Sequence, residues 1–150
     1  MQKLNLPPFE LKALDEGGKK FIFDRFRKRY VVLTPEEWVR QHFLNWLVNH
    51  LGYPAGLLAV ETSLKYGELK KRADAMVYSR TGQPLMIIEC KAPTVELTQD
   101  VFDQIARYNF RFRVEFLAVT NGLIHYCCRQ NPDRTTWTFM ETFPGFPGLG

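Results

Sequence analysis

Apolar residues along this chain gather in runs of four to eight bounded by turn formers, and two longer stretches carry helical spacing instead. Residues 20–33 supply β-formers at Phe21, Phe23, Tyr30 and Val31–Leu33 and read as two strands or a long hairpin. A helix start follows, with Thr34 as N-cap, Pro35 in the first turn and Glu37 three residues after the threonine. That helix should run to about Leu51, where Gly52 and Pro54 stop it. Trp38, Phe43, Leu44, Trp46, Leu47 and Leu51 wrap much of its circumference, so it should be packed on more than one side. Residues 57–64 form a strand candidate, and Tyr66-Gly-Glu-Leu-Lys-Lys71 reads as a polar loop. A second helix is expected over 98–113, with Val101, Phe102, Ile105 and Phe112 as its core stripe. Residues 116–120 form a core strand turning at Asn121-Gly122 into 123–128, and 136–141 a last strand. The order is roughly ββ-α-β-ββ-α-β-β-β, an α/β or α+β sheet with helices packed on it.

Between the two helices lies a hairpin that carries charge where a central strand should be apolar. Arg72-Ala-Asp74-Ala-Met-Val-Tyr78 and Leu85-Met-Ile-Ile-Glu89-Cys-Lys91 flank the turn Ser-Arg-Thr-Gly-Gln-Pro84. With the turn centred between Thr81 and Gly82, antiparallel pairing sets Asp74 opposite Glu89, and alternation puts Glu89 and Lys91 on one face. Directly opposed residues lie roughly 5 Å apart. Two bare carboxylates at that distance repel by roughly 3 kcal/mol at an effective dielectric of about 20. A hard, oxygen-seeking cation such as Mg²⁺ would compensate them, held by one or two carboxylates and substrate phosphate oxygens. Lys91 would then orient or deprotonate a water, and the whole would be a phosphodiester-hydrolysis site. The plainer alternative is a salt bridge from Lys91 to Glu89 or Asp74 at a strand end.

The chain's 150 residues, 45% of them hydrophobic and 24% charged, suit one soluble globular domain, with a core over about 20–141 and a loose tail at 142–150. No apolar run approaches the ~18 residues of a membrane span. The N-terminus has no signal-peptide core, and Cys90, Cys127 and Cys128 lack metal-ligand spacing, so a cytoplasmic protein is expected. The net charge of +4 is modest, but its distribution is informative. Arg25, Arg27, Lys28 and Arg29 interleave with Phe26 and Tyr30; alone, this patch reads as a solvated face. Lys65, Lys70, Lys71 and Arg72 lead directly into Asp74, and Arg107, Arg111 and Arg113 cluster further on, an arrangement suited to gripping the phosphates of a polyanion. His42, His50 and His125 share no spacing and read as structural or exposed. No phosphate-binding glycine loop is present, so no ATP site is expected.

The Asp74…Glu89-Cys-Lys91 hairpin resembles the core of the PD-(D/E)XK nucleases, and Gln104-Ile-Ala-Arg-Tyr108 resembles the Gln-xxx-Tyr motif of one of its branches. The succession Thr-Pro-Glu-Glu-Trp-Val-Arg-Gln, Lys-Arg-Ala-Asp, Ile-Glu-Cys-Lys-Ala-Pro, Gln-xxx-Tyr and Val-Thr-Asn-Gly resembles the N-terminal nuclease domain of type I restriction enzyme R subunits, over about residues 30–126. The resemblance implies a restriction-endonuclease-like α/β fold, a mixed central sheet flanked by helices. It implies Asp74 and Glu89 as ligands of Mg²⁺ (or Mn²⁺), with the Cys90 backbone carbonyl as a third, and Lys91 as the catalytic lysine. Gln104 and Tyr108 would position that lysine or contact the DNA backbone. Glu37 matches the acidic residue of the first helix, although it is equally the capping-box glutamate of Thr34, and Glu36 and Glu61 are rivals for the role.

Ala73 stands where the superfamily's signature has proline. The R subunits carry an ATP-driven motor beyond this domain, and these 150 residues contain none, so the resemblance implies the nuclease domain and not the whole restriction activity. The expected function is a metal-dependent DNA endonuclease domain, whose partners would be DNA and either other restriction-modification subunits or a second copy of the chain. The alternative is a non-catalytic nucleic-acid-binding or assembly module on the same fold.

Overall fold

A computed structural model describes residues 1–133 and 135–146, with the backbone alone at Leu64 and Lys71. Two sheets and two principal helices build it. Strands β1 (Ala13–Glu16), β2 (Lys19–Asp24) and β3 (Arg29–Val32) form an antiparallel meander. Helix α1 (Pro35–His50) follows, then a short 3₁₀ turn and strands β4 (Leu58–Tyr66), β5 (Leu69–Tyr78) and β6 (Pro84–Cys90). Helix α2 (Gln99–Phe110) leads to β7 (Phe116–Thr120), β8 (His125–Gln130) and β9 (Trp137–Phe139). The second sheet has six strands in chain order, antiparallel throughout except that α2 carries the chain across so that β7 runs parallel to β6.

The runs of β6 up to Ile88 and of β7 up to Val119 are apolar because both faces of this sheet are covered. Met86, Ile88, Phe116 and Ala118 face α1, where Val39, Phe43, Leu44 and Leu47 cover them. Ile87, Leu117 and Val119 face the other way, under Phe102 and Ala106 of α2. Helix α1 shows little amphipathicity because it lies between the six-stranded sheet and the meander. Its apolar residues meet the former, while Glu37, Gln41 and Asn45, spaced by four, form a buried polar stripe. Arg25 and Arg27 of the meander reach onto that stripe.

Three expectations change. Strand β1 lies outside the expected elements, since Ala-Leu-Asp-Glu has little β propensity. The signal that marks it is Gly17-Gly18, both at positive φ (61° and 77°), the two-residue turn that right-twisted hairpins favour. The polar loop at 66–71 is mostly strand: Gly67, at φ 60°, turns the chain tightly, and Lys65 and Lys70 face each other across β4 and β5. Finally, of the loose tail expected over 142–150, residues 142–146 are packed, and 147–150 lie outside the described residues. Phe143 lies edge-on to Phe43 at 5.4 Å, Phe146 edge-on to Tyr53 at 5.7 Å, and the Phe146 amide donates to Leu51 O. The fully buried Tyr53 hydroxyl donates to Pro144 O at 2.8 Å. Ending the chain after Glu141 would orphan that hydroxyl at a cost of about 1–3 kcal/mol, in addition to the lost ring packing. The expected result is a melting temperature lower by several degrees in a thermal scan; an unchanged melting curve would mean that this segment contributes nothing.

Candidate active site

Asp74 and Glu89 meet where the β5–β6 ladder ends. After a register shift that pairs Tyr78 with Pro84, the ladder runs Val77↔Met86, Met76↔Ile87, Ala75↔Ile88 and ends one step short of Asp74 and Glu89, which the same register would set across from each other. The ladder stops there because Asp74 intervenes: its Oδ2 accepts the Cys90 amide at 2.8 Å. Beyond this point β6 continues with β7 alone, and the Lys91 amide donates to Thr120 O at 2.8 Å. The two acidic residues and Lys91 thus lie where the strands part, at the carboxyl ends of the parallel pair, a common position for ligand sites in α/β sheets. Asp74 keeps Oδ1 without a hydrogen bond among the described residues. Glu89 is buried, and Lys91 is half-buried with no ion pair among the described residues. Burial raises the Cys90 thiol well above its ordinary value, with Asp74 and Glu89 adding to the rise. Cys90 would therefore offer a ligand its backbone carbonyl, not a thiolate.

Beside this point stands a chain of alternating charges. Asp24, fully buried, holds Arg27, which donates to Glu37 Oε1 at 2.6 Å and lies 3.3 Å from Glu61. Arg40 bridges the same two acidic residues at 3.2 and 3.6 Å, and the exposed Arg72 closes the series on Glu61 at 2.9 Å. Burial pushes the Arg27 guanidinium down, but hydrogen bonds and charge from Asp24 and Glu37 outweigh it and hold the group above its usual value. Arg40 Nη1 also donates to Asp74 O at 3.4 Å, which ties the network to the hairpin. Glu61 adopts φ 51°, rare for a side-chain-bearing residue and found in the strand that pairs with the Asp74 segment. That turn out of regular extension presents its carboxylate to three arginines.

Of the residues singled out from the sequence, the structure brings Asp74, Glu89 and Lys91 to one strand end, and Glu37 to them through Arg40. Glu37 is tied to the helix cap by its backbone and to the charge network by its side chain. Its amide donates to Thr34 Oγ1 at 3.0 Å as an N-terminal cap, whereas its carboxylate turns to Arg27, Arg40 and Gln41. Gln104, Arg107, Tyr108 and Arg111 are exposed on or just after α2. Lys65, Lys70 and Arg72 are exposed on β4 and β5, and the Lys71 side chain lies outside the described residues. The residues missed are Arg27 and Arg40. Arg40 had a signal, three residues after Glu37 on the same helix, whereas Arg27 was hidden in a patch that looked solvated.

The histidines are structural or exposed as expected. His42 packs on Phe9 and Trp38, and His125 bonds Thr120 and Asn5; burial lowers both below the ordinary value, so both are neutral near pH 7. No group of three or more His, Cys, Asp or Glu is disposed to hold a metal among the described residues. A pair of carboxylates suffices for Mg²⁺, which keeps several waters and takes its remaining oxygens from phosphate. The unengaged Oδ1 of Asp74 and the buried Glu89 beside a backbone carbonyl form an all-oxygen donor set that fits such an ion. No helix is long and apolar enough to cross a membrane among the described residues.

The chain matches, over residues 35–144, the family described as type I restriction enzyme R protein N terminus. Among solved structures it is similar to a fragment assigned as the HsdR subunit of a type I restriction enzyme from Vibrio vulnificus YJ016. The TM-score is 0.53 at 18% identity, covering 78% of this chain and 24% of that one. It is also similar to a protein from Anabaena variabilis ATCC 29413 assigned as a nuclease of the DUF820 group, with a TM-score of 0.46 at 12% identity over 91% of this chain and 80% of the other. The chain therefore spans about a quarter of the HsdR fragment's length. No curated protein matches it. The mixed six-stranded sheet with a helix on each face is the restriction-endonuclease-like α/β architecture expected from the sequence.

Proposed function

The chain belongs to the type I restriction enzyme R protein N-terminal family, and from that premise we propose that it is a divalent-metal-dependent DNA endonuclease domain. The observation that carries the proposal is the Asp74–Glu89 pair at the parting of β5 and β6, with Lys91 next on the same face. Asp74, Glu89 and the Cys90 carbonyl would hold Mg²⁺ or Mn²⁺, which when bound supplies charge stabilisation at the scissile phosphate and an acidified water. Lys91 would orient the attacking water or take its proton, since no carboxylate among the described residues claims its ammonium. Arg40 would hold the Asp74 segment by its carbonyl. Gln104 and Tyr108, on the exposed side of α2, would position Lys91 or contact the DNA backbone. In the R-subunit setting the partners would be DNA and the other restriction-modification subunits.

Purified protein should nick or cut plasmid DNA with Mg²⁺ or Mn²⁺ and not with EDTA, and Lys91→Ala should abolish cutting while leaving DNA binding intact. A second reading, a non-catalytic nucleic-acid-binding module, is favoured by one observation: Arg27 and Arg40 already neutralise Glu37 and Glu61. Binding without cutting under every metal condition, indifferent to Lys91→Ala, would establish that reading and remove the first.

The β4–β5 hairpin supports the nucleic-acid part. Like charges directly opposed on a sheet are destabilising, yet Lys65 and Lys70 pair across it. A phosphate would relieve that repulsion, and Lys70 stands four residues, or ~13 Å, along β5 from Asp74. Lys65→Ala with Lys70→Ala should weaken binding to all DNA sequences alike and flatten the salt dependence by up to ~2 units of slope. An unchanged affinity and slope would exclude the hairpin from the interface.

A further inference from the structure

A second site lies on the opposite side of Glu37, between α1 and the meander. It is a cavity of about 320 Å³, the low end for small-molecule sites. Gln41 of its wall is fully buried, and its orientation is fixed: Nε2 donates to Glu37 Oε2 at 2.9 Å, so a flipped amide would set oxygen against carboxylate. The other end, Oε1, is buried and receives no hydrogen bond among the described residues. A desolvated acceptor costs about 1–3 kcal/mol when unmet, so the site calls for a ligand that carries a donor. Phe9 and Phe23 supply two aromatic walls. Lys12 stands 5.7 Å from the Phe23 ring centre, and Arg25 is anchored by Nη1 to Asn45 and Asn49 at 3.0 and 3.3 Å. Glu10 adds one carboxylate acceptor at the rim.

A buried amide oxygen, two aromatic walls and two cations at one opening describe a ligand with N–H donors, a planar body and a phosphate. We propose that this cavity binds one nucleotide unit. The base enters between Phe9 and Phe23 and gives an exocyclic N–H to Gln41 Oε1, as base pockets commonly combine amide contacts with aromatic packing. Its phosphate lies against Lys12 and Arg25. Inorganic phosphate alone would satisfy the cations but neither the aromatic walls nor the buried acceptor. The volume admits one base and its sugar, not a duplex. The unit could come from a free nucleotide or from one position of a single strand. Arg25, from the basic and aromatic patch at 25–30 that the sequence leaves as a solvated face, thereby gains a role. The proposal is independent of the Asp74–Glu89 site, and a chain with no cleavage activity could still carry it.

The test uses the whole 150-residue chain, isotope-labelled, with amide signals followed by NMR. The probes are adenosine monophosphate, a trinucleotide with a central adenosine, the same trinucleotide abasic at its centre, and inorganic phosphate. Saturable shifts at Phe23, Arg25 and the side-chain amides of Gln41 and Asn49 are expected with a base-bearing probe. Lys12→Glu and Gln41→Met should each weaken that binding at least tenfold. Equal affinity for the monophosphate and the trinucleotide identifies a free nucleotide as the source. A trinucleotide at least tenfold tighter, losing that advantage when abasic, identifies a strand. Lys12 is exposed, so its variant keeps the test decisive if Gln41→Met folds poorly. The proposal is overturned if millimolar base-bearing probes leave these signals still, if phosphate alone reproduces the shifts, or if Lys12→Glu binds like the parent chain.

Discussion

Asp74→Asn is expected to lower metal-dependent cleavage about 10³-fold or more, while the protein melts within about 1 kcal/mol of the parent. The substitution separates charge from structure. Asparagine retains an oxygen that can accept the Cys90 amide, so the end of the β5–β6 ladder is kept. What is removed is the negative charge that would hold the cation and oppose Glu89. A thousandfold loss corresponds to ~4 kcal/mol of transition-state stabilisation, a scale typical of losing a principal electrostatic contributor. Glu89→Gln should behave alike, and the two together should cost little more than either alone, because one vacant ligand position already undoes the unit. Calorimetric titration with Mn²⁺ gives a second measure, in which both variants should lose the binding the parent shows. Cleavage by Asp74→Asn at the parent rate, with the fold verified, would remove Asp74 from the site and the hairpin reading with it.

The sequence makes this hairpin legible for a physical reason: the strand period is 2 and the turn is short. Once the turn is placed the cross-strand partners follow, and the observed register from Val77↔Met86 to Ala75↔Ile88 is the one the turn implies, although a shift next to the turn pairs Tyr78 with Pro84 instead of Leu85. The start of α1 was equally legible, since Thr34, Pro35 and Glu37 act locally and the cap bond forms as read. What the sequence hid depends on tertiary placement. Arg27 sits in a run of basic residues that looks solvated, and only the approach of the meander to α1 shows that it is buried between Asp24 and Glu37. Gln41 looks like an ordinary helix residue until the packing of both sides of α1 leaves it fully enclosed. The β4–β5 extension was read as a loop because lysines on two exposed strand ends resemble lysines in a turn. The alternation that would distinguish them is interrupted, because between Leu69 and Ala73 the sequence of β5 is Lys-Lys-Arg.

Arg27→Met should destabilise the fold by about 3 kcal/mol, the largest effect expected of any residue outside the apolar core. The Arg27 side chain is 12% exposed, and its partners Asp24 and Glu37 are 0% and 5% exposed. Methionine roughly keeps the apolar stem but strands two buried carboxylates, and breaking a buried pair from one side typically costs 3–5 kcal/mol. The lower end applies because Asp24 keeps the Phe26 amide and Glu37 keeps Arg40 and Gln41. At 2–4 °C per kcal/mol for a chain of this size, the melting temperature should fall by about 10 °C. Arg27→Lys should recover only part of this, since one ammonium cannot span Asp24, Glu37 and Glu61 as the guanidinium fork does. Arg72→Ala is the control. That residue meets Glu61 with 69% of its side chain exposed, where an ion pair contributes less than about 1 kcal/mol and salt screens it. The deficit of Arg27→Met should therefore persist in 1 M salt. A triple variant, Asp24→Asn, Arg27→Met and Glu37→Gln, should regain much of the loss by removing the stranded charges themselves. If Arg27→Met melts within a degree of the parent, or its deficit vanishes in salt, the network is a surface feature, and the attachment of the meander to α1 rests on Phe26 and the Arg25 bonds instead.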